Sequence, residues 1–219
     1  MTRICVSLRA REVDELRRKA LAAIDLGAEL VELRLDHLSN PFDESLRRLV
    51  AELDGKAIIT MRIAEEGGEY RGEEGRRLRF LSSLAEEKPA YIDLELKAIK
   101  GGGVDLERSK LLVSWHDYRG TPDEDVLVDI VDEMLSLGRI AKIVTYASKL
   151  EDNLRVLRLY ERFEPSRLIA FSMGELGIVS RILSGRLGSP IAYTCLPGEA
   201  LAPGQLDLMT FKELMRLCR

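Results

Sequence analysis

Lys142 interrupts an apolar run, Ile140 to Ala147, that otherwise reads as a buried β-strand. An ammonium there is costly unless it is paired or gives up its proton, and a desolvated, unprotonated lysine is a nucleophile toward ketones. The chain has only two histidines, and His116 closes another apolar run that begins at Leu111. An amine and an imidazole at the ends of separate buried strands suggest Schiff-base formation coupled to proton transfer.

Other polar residues fall inside or just beyond similar runs. Glu32, Arg34 and Asp36 share one face at period two, as do Asp93 and Glu95, and Ser114 and His116. Arg62 ends its run, Ser7 lies near the end of the first, and Arg181 follows the seventh. Arginines beside carboxylates and hydroxyls suit a small, carboxylate-bearing, polyhydroxylated substrate. Two bland readings stand beside this one. The charges of the second run could form an internal ion-pair ladder that plugs the interior, and Arg181 alone could be a surface salt-bridge residue. His37 reads as a packed or rim histidine. Two histidines without suitable Cys, His or carboxylate spacing give no metal site.

The elements that must position these residues alternate along the whole chain. Eight strands are expected at Ile4–Leu8, Leu30–Asp36, Ala57–Arg62, Tyr91–Leu96, Lys110–His116, Ile140–Tyr146, Leu168–Met173 and Ile191–Leu196, rich in Val, Ile and Leu as doubly covered strands are. Amphipathic helices are expected at Arg11–Leu26, Asp43–Leu53, Glu73–Glu87, Asp123–Leu137, Lys149–Phe163, Glu175–Leu183 and Asp207–Cys218. The fourth connection, Ala98–Ser109, carries three consecutive glycines and is expected to hold only a turn.

Eight strand–helix units without a linker predict one (β/α)₈ TIM barrel over residues 1–219. Active sites of that fold sit at the C-terminal ends of the strands, where the polar residues above collect. A doubly wound open sheet would be expected to show a Gly-rich phosphate turn after an early strand, and none is present. Two Pro- or Gly-rich loops, 65–72 and 196–205, are candidate lids.

Composition narrows the function classes. The 219 residues are 46% hydrophobic and 32% charged with a net charge of −4, which offers no basic field for nucleic acid. The pairs and triplets Arg76-Arg77 and Arg17-Arg18-Lys19 read as solvated helix faces. No apolar run approaches the roughly 20 residues of a bilayer span, and the N-terminus enters a strand without a leader pattern. Three scattered cysteines, Cys5, Cys195 and Cys218, indicate neither a disulfide frame nor a zinc site. A cytoplasmic location is expected.

The motifs, taken together and in order, resemble the type I 3-dehydroquinate dehydratases of the shikimate pathway. The resemblance runs through Val6-Ser-Leu8, Glu32-Leu-Arg-Leu-Asp-His37, Ile59-Thr-Met-Arg62 with Glu66-Gly-Gly-Glu69, Tyr91 to Leu96, Ser114-Trp-His-Asp-Tyr118, Lys142-Ile-Val, Ser172 to Ile182 and Ala202-Pro-Gly-Gln205. It implies a barrel, usually a homodimer, needing neither metal nor other cofactor, that turns 3-dehydroquinate into 3-dehydroshikimate and water through a covalent imine on Lys142. His116 would move the protons and Glu66 would orient it. Arg181 would hold the substrate carboxylate; Glu32, Arg34, Arg62 and Gln205 would bind ring hydroxyls. Met173 would pack on the ring, and Ser7 would add a polar contact. Two departures stand out: Leu201 replaces a serine of the lid, and the N-terminal hairpin that closes the barrel floor in longer members is missing. Another imine-forming lyase, such as a class I aldolase, would explain Lys142 but not Glu32 and Arg34 with Arg181 and Gln205. A non-catalytic carboxylate-binding barrel would have no need of Lys142 and His116 together.

Overall fold

Runs of Val, Ile and Leu that are apolar on both sides become strands covered on both faces, and the alternating amphipathic segments supply the cover. In the computed structural model, which describes residues 2–102, 106–107 and 110–217, the strands are β1 (Arg3–Leu8), β2 (Leu30–Arg34), β3 (Ala57–Thr60), β4 (Tyr91–Glu95), β5 (Leu111–His116), β6 (Ile140–Tyr146), β7 (Leu168–Met173) and β8 (Ile191–Thr194). The helices are α1 (Val13–Asp25), α2 (Ser45–Glu52), α3 (Glu74–Leu84), α4 (Leu96–Lys100), α5 (Glu124–Leu137), α6 (Glu151–Leu157), α7 (Leu159–Arg162), α8 (Ile178–Arg186) and α9 (Leu208–Leu217).

All ladders are parallel, in the order β7-β6-β5-β4-β3-β2-β1-β8, so β8 returns to pair with β1 and the sheet curls into a (β/α)₈ barrel. The seam between β7 and β8 carries no strand ladder among the described residues and is packed instead by Ile169, Phe171, Ile191 and Tyr193.

Period two sorts the side chains. Val6, Leu8, Val31, Leu33, Ile59, Met61, Val113 and Ile143 point outward into the layer shared with the helices. Cys5, Leu30, Ile58, Leu112, Ile140 and Ile191 fill the lower interior. One step up each strand the interior turns polar. The registers Ser7↔Glu32, Thr60↔Asp93 and Ser114↔Lys142 set those residues beside one another around the barrel. At the floor, a guanidinium nitrogen of Arg3 donates to the Tyr91 hydroxyl at 3.4 Å, bridging the starts of β1 and β4.

Several element ends differ from expectation for identifiable reasons. Strand β2 stops at Arg34 because Leu35–His37 winds into a 3₁₀ turn, so Asp36 leaves the strand face and receives Arg34 Nε and Nη2 at 2.9 and 2.8 Å. Helix α8 starts at Ile178 rather than Glu175. The chain first turns at Gly174 (φ 86°) and presses Gly177 against the Ser172 and Met173 carbonyls, where a Cβ would sit 2.3–2.4 Å from the oxygens. The stretch expected as one helix over Lys149–Phe163 divides into α6 and α7, and α4 forms where only a turn was expected. Gly103, Ser109 and Cys218 lie outside the described residues.

One surface assignment is overturned. Arg77 is fully buried: its guanidinium donates to Glu95 Oε2 at 2.8 Å and to the Met61 carbonyl at 2.6 Å. Glu74 accepts from the same side chain on the solvent side. A helix-pattern reading places Arg77 by its neighbours, whereas Glu95, 18 positions away in sequence, decides its fate.

Candidate active site

The ends of the strands open on a cavity enclosing about 510 Å³, and its walls include Ser7, Glu32, Arg34, Arg62, Glu66, His116, Lys142, Met173, Arg181 and Gln205. All ten residues to which the resemblance gives a role therefore come to one place. A roomier depression of about 1040 Å³ lies on the flank beside Ile63, Tyr70 and α4. It holds no amine–imidazole pair, so chemistry rather than size selects the site.

Lys142 projects inward from β6 and is 5% exposed. Its Nζ lies 3.1 Å from Asp93 Oδ2 and 3.5 Å from Glu32 Oε1, and 4.1 Å from the centre of the Tyr193 ring. The buried amine is thus paired on one side and rests on an aromatic face on the other. Burial would raise both carboxyls, yet the cations outweigh it. Lys142 and Arg34 hold Glu32 below its ordinary range, and Arg62 and Lys142 hold Asp93 well below.

Asp93 was not among the expected site residues, but it is the hub of the polar belt. It accepts from Arg62 Nη2 at 2.7 Å, from Ser114 Oγ at 2.6 Å and from Lys142. Arg62 also donates to Glu95 at 2.8 Å, and Arg77 holds the other oxygen of Glu95. The signal that could have found Asp93 was present: a carboxylate inside an apolar strand must be paired. Of the ladder weighed for the second run, only Arg34 and Asp36 pair with each other, whereas Glu32 joins through Lys142 a wider network of Asp93, Arg62, Glu95 and Arg77. That network serves as the rigid floor of the cavity rather than a plug that fills it. Ser7 Oγ donates to Glu32 Oε2 at 2.6 Å and Thr60 to Oε1 at 2.9 Å, so Ser7 acts first through Glu32.

His116 ends β5 with its Nδ1 3.0 Å from Glu66 Oε2, and the same oxygen accepts the His116 backbone N–H at 3.0 Å. Two donors on one oxygen assign the proton to Nδ1 and leave Nε2 with its lone pair. Burial, with the charges of Arg62 and Lys142, holds His116 well below the ordinary imidazole range. Burial likewise pushes Glu66 up to about 7.

Glu66 sits in a 3₁₀ turn, 64–66, that Gly67 ends at φ 78°. The bridge Ile63↔Tyr70 and the Glu69 N–H on Asp36 Oδ2 at 3.1 Å tie this loop to the barrel. These directions predict an acid limb in kcat/KM inflecting near pH 7. Protonation of Glu66 removes the acceptor that orients Nδ1–H, while His116 itself protonates only at lower pH. Glu66→Gln is expected to cost about 10- to 100-fold in turnover and to erase that inflection. A Gln variant that kept the limb near pH 7 would assign it to another group.

Arg181 is buried and its Nε has no partner; among the described residues its guanidinium makes one hydrogen bond, a 3.5 Å contact from Nη2 to the Pro203 carbonyl. Its guanidinium carbon lies 4.4 Å over the Phe171 ring. Burial without a facing carboxylate lowers it to about 10. Such a cation is an unfilled anion seat. Met173, on β7, is buried in the wall. Gln205 reaches the cavity while its Oε1 accepts the Leu201 N–H at 2.8 Å and its Nε2 donates to the Thr194 carbonyl at 3.1 Å, so it also staples the 196–205 loop. Leu201 lines the cavity and offers an apolar surface there.

A buried lysine, an imidazole and an unpaired buried arginine thus meet at the open end of a (β/α)₈ barrel, a set of groups suited to imine chemistry in a barrel enzyme. The type I 3-dehydroquinase family profile matches residues 4–219, and the chain belongs to that family. It is 34% identical to the 3-dehydroquinate dehydratase of Methanothermobacter thermautotrophicus over 219 residues, covering 98% of this chain and 96% of the relative. The crystal structure of the 3-dehydroquinate dehydratase from Aquifex aeolicus VF5 superposes with a TM-score of 0.78 at 30% identity, covering 99% of this chain and 98% of that one. The enzyme from Geobacillus kaustophilus HTA426 shares the fold with a TM-score of 0.83 at 21% identity, over 99% and 91% of the two chains.

Proposed function

We propose that this chain removes water from 3-dehydroquinate to give 3-dehydroshikimate, through an imine on Lys142. The observation that carries the reading is the meeting of Lys142, His116 and the unpaired Arg181 in one cavity. Arg181 takes the substrate carboxylate, and Glu32, Arg34, Arg62 and Gln205 take the ring hydroxyls while Met173 covers the ring. Ser7 supports Glu32. That grip fixes the reacting carbon against the imidazole, and orientation of this kind contributes up to about 7–11 kcal/mol.

As substrate enters, Lys142 gives up its proton and its contacts with Asp93 and Glu32. Its nitrogen attacks the C3 carbonyl, and the carbonyl oxygen takes up the proton the ammonium released and a second from the attached nitrogen, departing as water to leave an iminium that keeps one N–H. The iminium is an electron sink, so His116 Nε2 can remove a C2 proton and form an enamine. The enamine electrons return to expel the C1 hydroxyl, which takes the proton back from the imidazolium and leaves as a second water. One water then hydrolyses the product iminium, so the net change is the loss of one water. Glu66 keeps Nδ1–H in place throughout. The chain's own residues carry every step, and no cofactor is required.

Incubation with 3-dehydroquinate, reduction with borohydride and mass-spectrometric mapping test the reading directly. An adduct on Lys142 and formation of 3-dehydroshikimate are expected; an adduct on another lysine, or none, would sink it. Arg181→Met should cost about 2–5 kcal/mol in kcat/KM, mostly as a higher KM, because the substrate carboxylate is left buried without its cation. An unchanged KM would remove Arg181 from that role. We further propose that residues 1–219 act as one catalytic unit, in the cytoplasm, as a homodimer. Supporting the location, no helix among the described residues is long and apolar enough to cross a membrane.

A further inference from the structure

Three tyrosines are buried among the described residues, and two of them end on backbone groups. Tyr70 donates to the Glu73 carbonyl at 2.8 Å, and Tyr160 donates to the Ala170 carbonyl at 3.3 Å while accepting the Ala170 N–H at 2.9 Å. The third, Tyr193, is 6% exposed, and its hydroxyl has no hydrogen-bond partner among the described residues. A buried hydroxyl without a partner destabilises a fold, and a phenylalanine would fill the same space without that penalty.

The surroundings of the hydroxyl give a reason for it. Tyr193 stands on β8 beside Cys5 of β1 and belongs to the wall of the catalytic cavity. Its ring faces the Lys142 ammonium, which lies 4.1 Å from the ring centre. Glu32 and Asp93, the carboxylates that hold this ammonium, are both among the charges that act on the hydroxyl, and with burial they push it well above the ordinary phenol range. The hydroxyl therefore keeps its proton, and toward a carboxylate it can only donate. Formation of the imine takes the amine away from both carboxylates. Asp93 Oδ1 keeps Arg62 and Ser114, and Glu32 Oε1 keeps Thr60, but Lys142 alone donates to Asp93 Oδ2 among the described residues. Its departure leaves a buried carboxylate oxygen without a donor, close to a buried donor without an acceptor.

We propose that Tyr193 is a positioning residue of the covalent state: as Lys142 leaves for the substrate carbonyl, the Glu32–Asp93 pair closes on the Tyr193 hydroxyl, which takes over the hydrogen bond that the amine gives up. No proton is transferred and no covalent bond is made or broken; a charged donor on the carboxylates is exchanged for a neutral one. Because this bond forms only after the amine has moved, it stabilises the imine relative to the free enzyme, which is the condition for an interaction to assist the reaction. A hydroxyl already engaged in the resting protein could not act in this way.

This role rests on the imine at Lys142 proposed above, and the two can fail separately. In His116→Ala the imine should accumulate without turnover, and a brief borohydride quench after equilibration reads its occupancy. Adding Tyr193→Phe, which keeps the ring beside the ammonium, should raise by about 10- to 100-fold the 3-dehydroquinate concentration that half-fills Lys142, as for loss of a hydrogen bond to a charged group. Tyr193→Phe alone should leave the Tm of the free protein unchanged or higher. The exchange can also be read without substrate: Lys142→Ala frees the same carboxylates, so in that background Tyr193→Phe should lower the Tm. Adduct on Lys142 with an unshifted half-filling concentration overturns the role of Tyr193 and leaves the imine standing, whereas absence of any Lys142 adduct overturns both. A change in Tm that is equal with and without Lys142 marks the hydroxyl as merely structural and also overturns the role.

Discussion

Lys142→Ala is expected to abolish borohydride-trapped adduct and to lower turnover of 3-dehydroquinate by more than about 10⁴-fold. The size follows from the role, since a covalent catalyst divides one difficult step into two easier ones and no other group can take its place. Among the described residues, Lys142 is the one lysine in the cavity wall. The substitution also leaves Asp93 and Glu32 facing each other across the space the ammonium filled. Burial now acts on that pair without Lys142, although Arg62 and Arg34 still hold them. A drop in Tm of the free protein should therefore accompany the loss of activity, because breaking a buried pair costs about 3–5 kcal/mol. Differential scanning calorimetry separates the two effects. A variant that still turned over at a tenth of the wild-type rate would show that the imine is not on the reaction path.

His116→Ala is expected to divide the reaction in a different place. The amine, its partners and Arg181 remain, so the Lys142 imine should form and accumulate. Proton removal from C2 and protonation of the departing hydroxyl should slow by about 10³- to 10⁴-fold. Mass spectrometry after reduction should then show more trapped substrate adduct than the wild type does at equal time. Full activity would exclude the imidazole as the base. The loss should be full above pH 7 and shrink below it, where the wild type itself loses the Glu66 carboxylate that orients the imidazole; His116 is held well below the usual imidazole range and adds no limb of its own there. The contrast with Glu66→Gln is diagnostic. Both variants should lose the limb near pH 7, but Glu66→Gln keeps an imidazole base and a measurable rate, whereas His116→Ala loses most of the rate as well.

The two variants bracket what the polar network contributes. Arg77 and Glu95 never reach the substrate cavity, yet they fix Arg62, which in turn fixes Asp93 beside Lys142. Rigid support of this kind keeps the reacting groups within the small tolerance that orientation demands. It also explains how the barrel carries so many buried charges. Within this network every buried charge is paired with at least one opposite charge, whereas Arg181 has no ion-pair partner among the described residues.

Local pattern alone determined the strand–helix alternation of this chain, hence the barrel, because period two and period 3.6 are set by residues a few positions apart. It also marked Lys142, His116, Glu32 and Arg62, since a charge inside an apolar run is costly wherever the chain goes. Element ends were less legible: Asp36 and Glu175 read as strand and helix until the 3₁₀ turn after Arg34 and the crowded Gly177 turn displaced them. Tertiary structure decided the rest, because it depends on contacts between distant segments. Asp93 becomes a hub only where Arg62, Ser114 and Lys142 converge on it, 31, 21 and 49 positions away. Arg77 goes inward only because Glu95 waits there, and Arg181 is left unpaired because, among the described residues, no carboxylate comes within ion-pair distance of it.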